Sequence, residues 1–142
     1  MSDQSIAADL GTIEGRRRLE FWEANPPGVG FVYMVQGERH TPVKVGYAVN
    51  PRKRLTQLQT GSYAELHILD LIPGPPSLER KLHKRLAPHR LRGEWFAWEA
   101  AIPAWLALRA VGEAMMTFYG ATGRVPALET FDAWHQLLEV TR

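Results

Sequence analysis

The chain has no cysteine among its 142 residues. That excludes disulfides, thiolate metal ligands and a cysteine nucleophile. No apolar run approaches the ~18 residues needed to cross a bilayer. The opening residues, Met1 to Gly15, lack the basic stretch and apolar core of a secretory leader. A soluble, cytoplasmic protein with no membrane partner is therefore expected. Repeats and low-complexity tracts are also missing. The length suits one ordinary domain rather than two, and such a domain buries roughly two-thirds of its unfolded surface, enough to fold without staples.

The net charge of only +2 conceals an uneven distribution. Residues 29–98 hold 11 Lys and Arg against 5 Asp and Glu, whereas the flanks hold 6 against 10. A basic segment attracts polyanions, which makes nucleic acid the leading partner on charge alone.

Hydrophobic patterning divides the chain into α–ββ–α–β–α–αα. Ile13, Leu19, Phe21 and Trp22 among charged residues predict an amphipathic helix over about 11–24, ended by Asn25-Pro26-Pro27-Gly28. The aromatic and β-branched run 30–36 predicts a strand, and 43–47 its hairpin partner. Asn50-Pro51 supplies a cap and a first-turn proline for a helix that stops at Gly61. A third strand is expected over 66–72. Ser77 is expected to cap a second helix, whose Leu78, Leu82 and Leu86 form one buried stripe before Pro88. Gly93-Glu94-Trp95-Phe96 reads as an aromatic turn or short strand that closes the core. Ile102, Trp105, Leu108, Val111, Met115 and Phe118 predict a longer helix, and Leu128, Phe131, Trp134 and Leu138 another beyond Gly120-Ala121-Thr122-Gly123. The expectation is an α+β fold with a small three-stranded antiparallel sheet flanked by helices. A helical extension over 1–28 and another over 99–142 would frame a central domain at 29–98.

Val32-Tyr33 on one strand, Lys44-Val45-Gly46 on the next, Arg54 ten residues later and Glu79 early in a later helix resemble the GIY-YIG nuclease superfamily, in a compact phage and bacterial branch. The resemblance spans about residues 30–98 and includes Leu82-His83 and Gly93-Glu94-Trp95-Phe96. It departs from the family pattern at Lys44, where the second motif normally opens with tyrosine. The resemblance implies an endonuclease hydrolysing phosphodiester bonds in DNA. Such chemistry needs an activated water, charge neutralisation at phosphate and help for the leaving oxygen. Glu79 would hold Mg²⁺ or Mn²⁺, which often uses only one or two carboxylates. Arg54 would grip phosphate oxygens through its fork of donors. Tyr33 would orient or deprotonate the water, and its phenol would need a depressed pKa to serve as a base near neutrality. Lys44 could hold the water or neutralise phosphate, and His83 shares the helical face of Glu79.

Arg52, Lys53, Arg80, Lys84, Arg90 and Arg92 are the expected nucleic-acid contacts, since phosphate binding supplies most sequence-independent affinity. Trp95 and Trp98 could stack on bases but suit the core better. Taken singly, each of these residues also has a plain structural role: a strand tyrosine, a solvated lysine, a helix-face arginine, a first-turn glutamate. Two other readings compete with the enzyme. One is a non-catalytic nucleic-acid-binding module of the same fold. The other is a protein-interaction domain using the C-terminal helices, whose Trp and Met content would also suit a homodimer. The DNA partner could include branched or single-stranded forms.

Overall fold

A computed structural model describes residues 3–124, with side chains from Ile13 onward. Its elements are α1 (Asp3–Ala24), β1 (Phe31–Gln36), β2 (Val43–Ala48), α2 (Pro51–Thr60), β3 (His67–Pro73), α3 (Pro76–Leu86), β4 (Arg90–Arg92), β5 (Trp95–Phe96) and α4 (Trp98–Thr122). A short 3₁₀ turn, Ala87–His89, links α3 to β4. The expected helix over Leu128 to Leu138 lies outside the described residues.

The α+β class holds, but the sheet has five strands rather than three, in the order β3-β1-β2-β5-β4 with every pairing antiparallel. The extra strands arise because the chain reverses through Gly93-Glu94 and lays Trp95-Phe96 against the free edge of β2. A run of two residues is too short to reveal a strand by periodicity. β1 occupies the interior position between β3 and β2, and all six of its residues are buried.

Local signals account for most boundaries. The Asn50 side chain accepts from the Lys53 N–H at 3.0 Å, and Pro51 opens α2 where no N–H is needed. Ser77 does not cap α3. The cap position is Pro75, without a side-chain hydrogen bond, and Ser77 lies inside the first turn. Leu78, Leu82 and Leu86 are buried as one stripe. In α4, Trp105, Leu108, Val111 and Met115 are buried, while Ile102 is half-buried and Phe118 exposed. In α1, Leu19 and Trp22 are buried but Ile13 is largely exposed, so the apolar face begins later than its sequence pattern implied.

α1 lies directly on β3. A β-carbon on Gly15 would stand 2.1 Å from the Ile68 carbonyl oxygen, so only glycine allows this approach. Three residues later Arg18, fully buried, sends Nε and Nη2 to the Asp70 carboxylate at 2.5 and 2.7 Å, and Nη1 to Glu113 of α4 at 2.7 Å. One guanidinium thus ties α1, β3 and α4 together. Burial works against the Arg18 charge, but Asp70 and Glu113 more than offset it, and its pKa lies above the ordinary arginine value. At the far end of the helix pair, Trp22 packs edge-on against Phe21 and Tyr119 at 4.9 and 5.7 Å.

Removing one member of a buried ion pair strands the other charge at a cost of about 3–5 kcal/mol, whereas replacing both by apolar groups is often near neutral. Asp70→Ala is therefore expected to be destabilised by that amount in chemical denaturation. An Arg18→Met/Asp70→Leu double substitution is expected to recover most of the loss.

Candidate active site

Successive strand residues face opposite sides of a sheet. Tyr33 of β1 is paired with Gly46 of β2, and Lys44 sits two residues before Gly46 on the same face. The missing side chain of Gly46 makes room for the tyrosine. A β-carbon there would lie 2.3 Å from the phenol oxygen and 2.4 Å from the adjoining ring carbon. Tyr33 is only 2% exposed, with its hydroxyl held over the bare backbone of the neighbouring strand.

Burial raises the pKa of this phenol above 10, and Arg54 of α2 opposes the rise through a hydrogen bond and its charge. Glu94 and Glu79 add smaller upward contributions, so both carboxylates act on the phenol. The depressed pKa that base catalysis near neutrality would need is not what this environment gives the phenol. Desolvation governs instead, and Tyr33 holds its proton at neutral pH.

Lys44 is buried as well, although alternation along β2 taken alone favoured a solvent-facing lysine. Its Nζ donates to Glu94 Oε2 at 2.7 Å, with 9% of the lysine side chain exposed against 42% of the glutamate. Glu94 reaches this position because β5 pairs Trp95 with Lys44 and the Val45 N–H donates to the Glu94 carbonyl at 3.0 Å. Glu94 was not singled out in the sequence. Its signal, the position just before Trp95-Phe96, acquires meaning only once β5 is known to join β2.

α3 brings Glu79 and His83 against the same part of the sheet. His83 Nε2 lies 2.8 Å from the Val45 carbonyl oxygen and 3.9 Å from Glu79 Oε1. A ring nitrogen that donates to a carbonyl is not free to ligate, so this contact orients His83 and fixes its tautomer. Burial raises the Glu79 pKa above 4.5 and Glu94 adds to the rise, while His83, Lys44 and Arg80 pull it down. Ligand atoms of Glu79, His83 and Glu94 all lie within 4.8 Å of one another. Two carboxylate ligands suit a hard divalent cation such as Mg²⁺ or Mn²⁺, which completes its shell with water. All five sequence-predicted catalytic residues, Tyr33, Lys44, Arg54, Glu79 and His83, belong to this cluster, and Glu94 completes it.

The basic residues behave less uniformly. Lys53, Arg54, Arg80, Lys84, Arg90 and Arg92 are exposed. Arg52 is committed elsewhere, gripping Glu23 with Nε and Nη2 at 2.6 and 2.8 Å, and Arg90 lies over the Phe96 ring at 5.4 Å. Trp98 is buried against Trp105 and serves the core, while Trp95 is half-buried beside Lys44.

Two consequences can be measured. Gly46→Ala must displace the Tyr33 ring, so it is expected to lower stability by about 1–3 kcal/mol, the range for overpacking, and Tyr33→Phe should not relieve that loss because the ring carbon clashes too. Arg54→Ala removes the group that draws the Tyr33 pKa down. Spectrophotometric titration, with Tyr33→Phe identifying the signal, should find the phenol ionising at still higher pH.

A T5orf172 domain is matched over residues 30–115. The match runs from the start of β1 part-way along α4 and contains every residue of the cluster. Comparison with curated proteins and with solved structures gives no match. Among the described residues, no helix is long and apolar enough to cross a membrane. With more than half of its residues inside the match, the chain belongs to the T5orf172 domain family.

Proposed function

We propose that this domain is a metal-dependent endonuclease of the GIY-YIG type that hydrolyses phosphodiester bonds in DNA. The observation that carries the reading is the convergence of Tyr33, Lys44, Arg54, Glu79, His83 and Glu94 beside α3. Carboxylates inside a basic surface serve no purpose in simple phosphate binding, where they repel the ligand. They do suit a site that holds a cation against a phosphate.

A bound Mg²⁺ or Mn²⁺ would be held by Glu79 and would supply charge neutralisation at the scissile phosphate. Arg54, exposed at the rim, offers a planar fork of donors to non-bridging oxygens. Lys44 adds a positive charge deeper in the site. Tyr33 lies at the floor, where its oxygen can accept a hydrogen bond from a water and direct it toward phosphorus. Since Tyr33 keeps its proton near neutrality, its ionised fraction, and with it base catalysis, grows as pH rises. His83, fixed by the Val45 carbonyl, braces Glu79 from one turn along the helix. Lys53, Arg80, Lys84, Arg90 and Arg92 would engage the DNA backbone outside the reacting centre.

The test is relaxation of supercoiled plasmid by the purified chain with Mg²⁺, Mn²⁺ or EDTA. Cation-dependent nicking is expected from the wild type, with losses of about 10²-fold or more in Glu79→Ala and Tyr33→Phe, as for removal of groups acting on the transition state. Binding without cleavage over duplex, branched and single-stranded DNA would contradict the proposal. So would undiminished nicking by Glu79→Ala.

A further inference from the structure

The Lys44–Glu94 pair presents a problem for the site as described. A lysine whose ammonium is held by a carboxylate cannot at the same time serve a phosphate, and a carboxylate neutralised by lysine offers little to a metal. We infer that Glu94 is a second carboxylate ligand for the divalent cation and that Lys44 competes with the cation for it; this rests on the nuclease reading above.

Five observations support the exchange. The ligand atoms of Glu94 and Glu79 fall within 4.8 Å, so a small side-chain adjustment lets one ion touch both. The nitrogen of His83 nearest Glu79 is engaged with the Val45 carbonyl at 2.8 Å, which leaves the two carboxylates as the oxygen donors of the cluster. The Lys44 ammonium lies 2.7 Å from Glu94, so a positive charge already stands beside the place where a cation would sit. Accessibility is graded in the required sense. The Glu94 side chain is 42% exposed and can be reached from solvent, while Lys44 approaches from the sheet with 9% exposed. The backbone around the pair is fixed by the Lys44–Trp95 pairing and the Val45–Glu94 hydrogen bond, so only side chains need to move.

The electrostatics follow directly. Without the cation, Lys44 offsets part of the repulsion between two carboxylates a few ångströms apart. A divalent ion does so more strongly and repels the ammonium, which is then left free for a phosphate oxygen. Lysine in the second motif thus acts as an internal stand-in for the metal, so a positive charge faces Glu94 in both states.

The experiment measures Mn²⁺ affinity of the full chain by the electron paramagnetic resonance signal of free Mn²⁺, without DNA. Lys44→Met removes the competitor and is expected to tighten binding by about fivefold or more. Glu94→Gln is expected to weaken it on the order of tenfold, and the weakening should persist in Lys44→Met/Glu94→Gln. That persistence separates a ligand from a residue that merely restrains Lys44. Glu94→Asp, which keeps the charge, should recover part of the affinity, and thermal melting without Mn²⁺ confirms that each variant is folded. Unchanged affinity in Lys44→Met, or no effect of Glu94→Gln in the Lys44→Met background, would overturn the inference. Failure of the nuclease reading looks different: the wild type would not bind Mn²⁺, or Glu79→Gln would bind it as tightly as the wild type.

Discussion

The phenol of Tyr33 occupies space that a side chain on Gly46 would need, and the rest of the site is arranged around that contact. A tyrosine on an interior strand must either point into the core or lie across its neighbour. Gly46 permits the second arrangement and leaves the hydroxyl on a sheet face shared with Lys44. From there Arg54 of α2, both carboxylates and the ordered His83 come within interaction range. The two motif residues act as one structural device, a ring and the gap that receives it. Substituting either would move the oxygen to which every other group is referenced.

Burial weighs on the protonation of Tyr33 and Glu79 more than their immediate partners do. It lifts Tyr33 and Glu79 toward their neutral forms, and the neighbouring cations only partly restore the charge. A site with these tendencies is poised to gain from a divalent cation, which lowers the cost of keeping carboxylates ionised. The remote Arg18 solves the same problem without a metal. It is fully buried and keeps its charge by meeting Asp70 and Glu113 with matched geometry. That junction fixes α1 and α4 on β3, and β3 flanks the strand that carries Tyr33.

The sequence made the site residues legible because their order and spacing are local. Tyr33, Lys44 and Gly46 follow from one hairpin, Arg54 from a capped helix behind it, and Glu79 with His83 from a single helical turn. Glu94 escaped notice because its role depends on a pairing between residues about fifty positions apart, between β2 and a two-residue strand. The same pairing explains the undercount of strands. Arg18 and Asp70 were hidden for a related reason. An arginine within Arg16-Arg17-Arg18 and an aspartate within an apolar strand look unremarkable until α1 is laid on β3. The Ser77 cap failed because Pro75-Pro76 already fixes the extended-to-helical transition, so no hydroxyl is needed there.

The most direct test of the central claim is the single-turnover rate of DNA cleavage as a function of pH, compared between wild type and Tyr33→Phe at saturating Mn²⁺. A wild-type rate that keeps climbing from about pH 6 to about pH 10 is expected, because a buried phenol ionises late, with Tyr33→Phe slow and nearly flat over the same range. Parallel profiles of similar height for the two proteins would contradict the placement of Tyr33 at the reacting centre.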